Sequence, residues 1–151
     1  LSFARNYIDL IRMRYENRVL IRIDCSDSLL SHAVPRFTLQ PLLENCCEHG
    51  LHDSQLLVID VKVCRTDDAL AILVQDNGSG MSPETLSRLR ENLQKDDDPE
   101  PGDNGHRSIG LFNIHKRLTL YYNESSGLHI ESTPGQGTTV TVLIKNRRIG
   151  L

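Results

Sequence analysis

Apolar positions in this chain recur with two periods, and the switches between them predict nine elements. Residues 1–17 read as a helix, because Leu1, Ala4, Ile8, Ile11 and Tyr15 form one stripe at 3-4-3-4 spacing, with Phe3, Tyr7 and Leu10 beside it. The first stripe has coiled-coil spacing, so this helix either packs on its own domain or joins a bundle upstream or in a second subunit. Val19, Ile21, Ile23 and Cys25 then alternate with Leu20, Arg22 and Asp24, the mark of a half-buried strand. Pro35 opens a second helical stretch over 38–50, with Leu39, Leu42, Leu43 and Cys46 inward and Gly50 as a C-terminal cap. Residues 56–64 alternate again, Asp67-Asp68 makes a turn, and the almost continuously apolar 69–75 predicts a central strand. Ser82 and Pro83 start a third helix running to about 94, Ser as N-cap and Pro in the first turn. A fourth helix is expected over 109–122, and two strands, 127–132 and 138–145, joined by the turn Pro134-Gly135-Gln136-Gly137. The order α-β-α-β-β-α-α-β-β is not the strict alternation of a parallel sheet. It predicts an α+β fold with helices on one face of a mixed sheet.

Composition narrows the class. At 151 residues the chain suits one domain and can bury roughly 70% of its unfolded surface without covalent staples. A net charge of -3 lacks the basic footprint of a nucleic-acid binder, and no apolar run approaches membrane-spanning length. Arg5, Asp9, Arg12, Arg14 and Glu16 are incompatible with a signal peptide in the first residues. Cys25, Cys46, Cys47 and Cys64 have neither CxxC nor zinc spacing, and are expected as small buried apolar residues of a reducing compartment.

Four clusters could carry chemistry. In 39–50, Asn45, Glu48 and His49 share a helix face opposite the leucines. That face is either solvated or able to set an amide oxygen on a phosphate-bound metal, since magnesium takes only one or two protein oxygens. In 74–81, Asp76 ends the apolar strand ahead of Gly78 and Gly80. Asn77-Gly78 alone would signal a hairpin, but a helix follows at Ser82, so the glycines mark a close backbone approach. An ionised Asp only accepts hydrogen bonds, and would take the exocyclic amine of adenine while rejecting the carbonyl of guanine. In 106–113, His106 and Arg107 precede a helix whose first N–H groups form a ready phosphate site. In 134–139, Gly135 and Gly137 suffice as a turn between strands. A P-loop, a dinucleotide fingerprint and HExxH are all missing.

The order and spacing of ENCCEHG, DNGSGM, SIGLFN and PGQGTT resemble the N-box and three glycine boxes of the Bergerat-fold ATPase/kinase superfamily, which includes gyrase, Hsp90, histidine kinases and MutL. FTLQPLLENCCEHGL and SIGLFNIHKRL look like the LytS/YesM-type sensor histidine kinases in particular. The resemblance implies a two-layer α/β sandwich, with 1–17 the end of a dimerisation helix and 18–151 a catalytic ATP-binding domain. Carried over residue by residue, it implies Asn45 as the Mg2+-holding Asn and Asp76 as the reader of adenine. Gly78, Gly80 and Met81 would border the nucleotide. Residues 95–107 would form a flexible ATP lid. Arg107, Ser108, Gly110 and Leu111 would stand at the phosphate end, with Gly137 and Thr138 near adenine, and Glu44 and His49 supporting the N-box. Glu48 stands where many histidine kinases carry Lys or Arg, Ser108 where the second box often has Gly, and Asp96, Asp97 and Asp98 put negative charge in the lid.

The activity so implied is transfer of the γ-phosphoryl of Mg-ATP to a histidine outside this chain, for relay to a response regulator aspartate. The acceptor helix would belong to the same full-length protein, in a homodimer and a cytoplasmic domain of a membrane-anchored sensor, with no nucleic-acid or membrane contact by this portion. The hydrolysing members place a Glu base four residues before the N-box Asn. Here that position is Pro41, which cannot take a proton. The remaining alternative is a degenerate nucleotide-binding module without transfer activity, motivated by Glu48 and the acidic lid.

Overall fold

A computed structural model describes residues 2–26, 28, 38–52, 55–65, 68–95 and 105–145. Side chains near the helix starts are described from Arg5 and from Ile109 onward. The elements are α1 (Ser2–Arg14), β1 (Val19–Asp24), α2 (Leu39–Gly50), β2 (Leu57–Arg65), β3 (Ala69–Asp76), α3 (Pro83–Leu93), α4 (Gly105–Tyr121), β4 (Gly127–Thr133) and β5 (Gly137–Lys145). The strands form one sheet in the order β1-β2-β3-β5-β4. β1 pairs with β2 in parallel, and the other three pairings are antiparallel. The sheet is therefore mixed, with the apolar β3 at its centre, as its continuous hydrophobic run predicts.

Alternation places one face of each strand in the core. Ile21, Ile59, Val74, Val142 and Ile130 lie on that face and are buried with Leu42 and Leu43 of α2, Leu86 and Leu89 of α3, and Leu111 and Leu118 of α4. Each such side chain contributes about 1.5–3 kcal/mol relative to exposure. The opposite face carries the exposed pair of Arg22 and Asp60, paired in register between β1 and β2. This is a two-layer α+β sandwich. β4 is an edge strand, and α3 covers part of it. Arg90 donates Nε and Nη2 to the carbonyl of Ile130, at 3.0 and 2.5 Å. A paired edge carbonyl is not available to a second chain.

α3 starts as its sequence predicts: Ser82 is the N-cap, its Oγ accepts from Thr85 N–H at 3.2 Å, and Pro83 sits in the first turn. The structure decides one open reading and corrects three expectations. First, of the two readings of the α1 stripe, its described part packs on its own domain: Ile8 and Ile11 are buried in the core and Tyr15 packs against it. Among the described residues of α1, the large apolar side chains left exposed are Leu10 and Met13. Second, Gly50 is the last residue of α2, not a left-handed cap. A Cβ there would lie 2.6 Å from Leu57 Cδ1, so glycine lets the helix end settle on β2. Third, only Cys46 and Cys47 are buried, whereas Cys25 and Cys64 near the strand ends are half-exposed; all four are free. Fourth, α4 begins at Gly105 rather than 109, since His106, Arg107 and Ser108 contain nothing that breaks a helix. The segment 96–104, most of the expected lid, lies outside the described residues, as do Pro35, Asp67 and the basic tail beyond Lys145. Residues 105–107, expected in the lid, are the first turn of α4.

Candidate nucleotide site

Asp76 is the last residue of β3 and is buried, because its neighbours in the sheet, Ile59 and Thr138, flank it on β2 and β5. Its Oδ1 accepts from Gly78 N–H at 2.8 Å. That bond turns the chain sharply off the strand. Asn77 secures the turn from the other side: its Oδ1 accepts from Val58 N–H at 2.8 Å and its Nδ2 donates to Leu56 O at 3.3 Å. Asn77-Gly78 is thus a side-chain extension of the β2–β3 ladder, not a hairpin.

The glycines after Asp76 approach the chain itself. A Cβ on Gly78 would stand 2.5 Å from Gly50 Cα, which joins the end of β3 to the end of α2. Gly80 has φ +68, and a Cβ there would overlap the Thr133 carbonyl. Gly137 has φ +97, and a Cβ there would overlap the Asp76 carbonyl. So three of the four boxes meet through backbone contacts that only glycine permits. The Gly135 N–H reinforces this by donating to Ser79 O at 2.7 Å.

Ser132 is a member of this corner that the motif reading missed. Its Oγ accepts from Met81 N–H at 2.8 Å, lies 3.0 Å from Gly137 O and 2.9 Å from Thr138 Oγ1. Met81 and Thr138 are both buried, so Ser132 ties the second box to the fourth behind Asp76. Its position opposite Thr138 in the β4–β5 register is the signal that could have found it.

The α2 residues divide between two neighbours. Asn45 faces α4: its Nδ2 lies 4.0 Å from where a Gly110 Cβ would be. That Nδ2 is buried and has no hydrogen-bond partner among the described residues. Glu44 faces α1 instead. Its Oε1 accepts from Tyr7 Oη at 2.7 Å and from Gln40 Nε2 at 3.1 Å. Burial, then the bond to Glu44, pushes the Tyr7 phenol well above its ordinary range. Glu48 is exposed. The backbone carbonyl of His49, in the last turn of α2, accepts weakly from Ser79 Oγ at 3.4 Å. Cys47 lies on the buried side, and burial lifts its thiol to about 11, against the pull of Arg14. Cys46 and Cys47 are both free and buried, as small apolar residues of the core.

Gly110 and Leu111 sit one turn inside α4, with Leu111 in the core, because the helix starts early. The unpaired N–H groups of its first turn belong to the residues from Gly105 to about Arg107. Arg107 and Ser108 therefore stand at the helix start expected of a phosphate end, while Gly110 and Leu111 supply closeness to Asn45 and packing. Among the described residues, no group of three or more His, Cys, Asp or Glu could hold a metal by itself. No helix among them is long and apolar enough to cross a membrane.

Residues 34–148 match the family model described as histidine kinase-, DNA gyrase B-, and HSP90-like ATPase. The chain is 35% identical over 138 residues to an uncharacterized sensor-like histidine kinase of Staphylococcus epidermidis, covering 91% of this chain and 26% of that protein. It is 31% identical over 147 residues to sensor histidine kinase YesM of Bacillus subtilis, covering 97% and 23%. The chain thus spans about a quarter of the length of these relatives. In structure it is similar to the histidine kinase domain of the Erythrobacter litoralis EL346 blue-light activated histidine kinase. The TM-score is 0.60 at 17% identity, over 94% of this chain and 58% of that one. The mycobacterial sensor histidine kinase MprB gives 0.56 at 15%, over 95% and 91%.

Proposed function

Since this chain belongs to the histidine kinase-, DNA gyrase B-, and HSP90-like ATPase family, we propose that it binds Mg-ATP and donates the γ-phosphoryl group to a histidine outside the chain. One observation carries the reading. Glycine contacts bring the N-box helix, the end of β3 and the β4–β5 turn together around a buried carboxylate, while Asn45 of the same helix faces α4.

In this reading Asp76 accepts a hydrogen bond from the exocyclic amine of adenine. Gly78 N–H holds the carboxylate from behind, and Ser132 with Thr138 closes the corner. Asn45 fits a hard cation. It is neutral, and its buried Nδ2 has no hydrogen bond among the described residues that presenting the amide oxygen to a metal would break. Magnesium completes such a site with phosphate oxygens and water, and when bound it neutralises charge on the transferring group. The α4 first turn, from Gly105 to about Arg107, offers N–H groups to the phosphates, with Ser108 next along the helix. The transfer asks little covalent work of the protein, so these residues act by positioning. Pro41 stands where the hydrolysing members carry a base, and Glu44 Oε1 already takes two donors.

The acceptor histidine then belongs to another part of the full-length protein, paired as a homodimer, with a response regulator as the next carrier. In this reading the chain is a cytoplasmic domain of a membrane-anchored sensor.

A thermal melt with Mg-ATP against Mg-GTP tests the binding step. A ligand at about 100 times its dissociation constant adds roughly 2.7 kcal/mol, so ATP should raise the midpoint visibly and GTP should not. No shift with ATP sinks the reading, and an equal shift with GTP sinks the role of Asp76. Transfer is tested by supplying a histidine-bearing helical segment of a relative. Acid-labile, base-stable label on that segment, and none on the chain itself, is the expected product.

A further inference from the structure

We propose that Tyr7 is a positioning residue for the nucleotide site: its bond to Glu44 sets how α2 is rotated, and so where Asn45 aims. Glu44 and Asn45 are consecutive on α2 and therefore project about 100° apart. The structure gives them different neighbours, Tyr7 of α1 for Glu44 and Gly110 of α4 for Asn45. α2 packs against both helices. A force applied to Glu44 from α1 turns Asn45 relative to α4.

The link is built to transmit. Tyr7 lies directly before Ile8, which is buried with Ile11, so the phenol ring rides on a helix seated in the core. The 2.7 Å bond is short, as expected for a hydroxyl on a carboxylate, and Gln40 holds the same Oε1 from one turn earlier on α2. Glu44 thus has no slack toward α1. Asn45 has no hydrogen bond at its buried Nδ2 among the described residues, so no bond there holds the amide against a turn of α2. Its orientation depends on the backbone that carries it. The consequence is that the seat of α1 controls the metal-facing amide without touching nucleotide. Only the metal arm of this inference rests on the function proposed above.

The test follows the Asn45 side-chain amide by 15N–1H spectroscopy in the nucleotide-free chain. Tyr7→Phe removes the hydroxyl and keeps the ring. Glu44→Ala removes the acceptor. Each should move the Asn45 signal, and the double variant should move it no further than the single ones, as residues sharing one interaction do. Met13→Ala, on the exposed side of α1, should leave it in place. In the second arm, Tyr7→Phe should cut the gain in ATP affinity that magnesium confers by about three- to ten-fold, with metal-free ADP affinity changed by less than about two-fold. An unmoved Asn45 signal in folded Tyr7→Phe overturns the proposal, as do additive shifts in the double variant or equal losses for metal-free ADP and Mg-ATP. If magnesium confers no gain on the unaltered chain, the nucleotide reading has failed, and the amide signal alone decides whether Tyr7 positions Asn45.

Discussion

Gly137 lies so close to Asp76 that a Cβ on the glycine would overlap the aspartate's carbonyl oxygen. The contact explains why a turn residue some sixty positions away from the carboxylate belongs to its site. Gly137→Ala adds this overlap to a φ of +97. The expected loss is about 2–4 kcal/mol, from the left-handed backbone and the overpacking together. Gly135 has φ +75 but nothing within 4 Å of an added Cβ, so Gly135→Ala should cost only about 1–2 kcal/mol. Urea unfolding of both variants checks the difference. Equal losses would mean that the Asp76 contact is unimportant.

Asp76→Asn keeps the shape at the end of β3 and still offers Gly78 N–H an oxygen. Its second position becomes a donor that opposes the adenine amine. Losing a charge-assisted hydrogen bond costs about 1.5–3 kcal/mol, so ATP affinity should fall roughly ten- to a hundred-fold. Calorimetric titration measures it, and an unchanged affinity removes Asp76 from adenine recognition.

Asn45→Ala should weaken Mg-ATP more than metal-free ADP. The variant deletes an amide whose Nδ2 has no described partner, so the fold should lose little. A midpoint drop comparable to that of Gly137→Ala, or equal losses for both nucleotides, would show a structural role instead.

His115 makes stability depend on pH. Its Nδ1 accepts from Leu128 N–H at 3.0 Å, which only the neutral ring can do. Burial first, then the charges of His129 and Lys116, lowers its pKa from the usual value. The folded state therefore binds this proton less readily than the unfolded chain. Stability from this group is present above about pH 6.5 and declines as pH falls through the folded value. The urea midpoint should drop between pH 7.5 and 5, and drop less in His115→Gln. An equal drop in both would place the acid sensitivity elsewhere.

Much of this molecule was legible along the chain. The strands, α3 with its Ser82-Pro83 start, and the order of the four boxes rest on local signals: a period, a cap, a fixed spacing. Those signals say which face of an element is buried and where backbone must come close. They do not say against what. The α1 stripe at Ile8 and Ile11 fits a partner helix and its own core equally well, and only the packed structure chose the core. Gly78, Gly80 and Gly137 announced close approaches, but Gly50, Thr133 and Asp76 are what they approach. Tyr7 with Glu44 and Ser132 with Met81 are partners 37 and 51 positions apart, and no periodicity relates them. The start of α4 at Gly105 had no local mark, because His106-Arg107-Ser108 suits a loop and a helix alike. The sequence by itself determined the elements and the chemistry at their ends. The tertiary structure decided which ends meet, because a contact between distant residues depends on how the sheet and helices pack as a whole and not on the residues beside it.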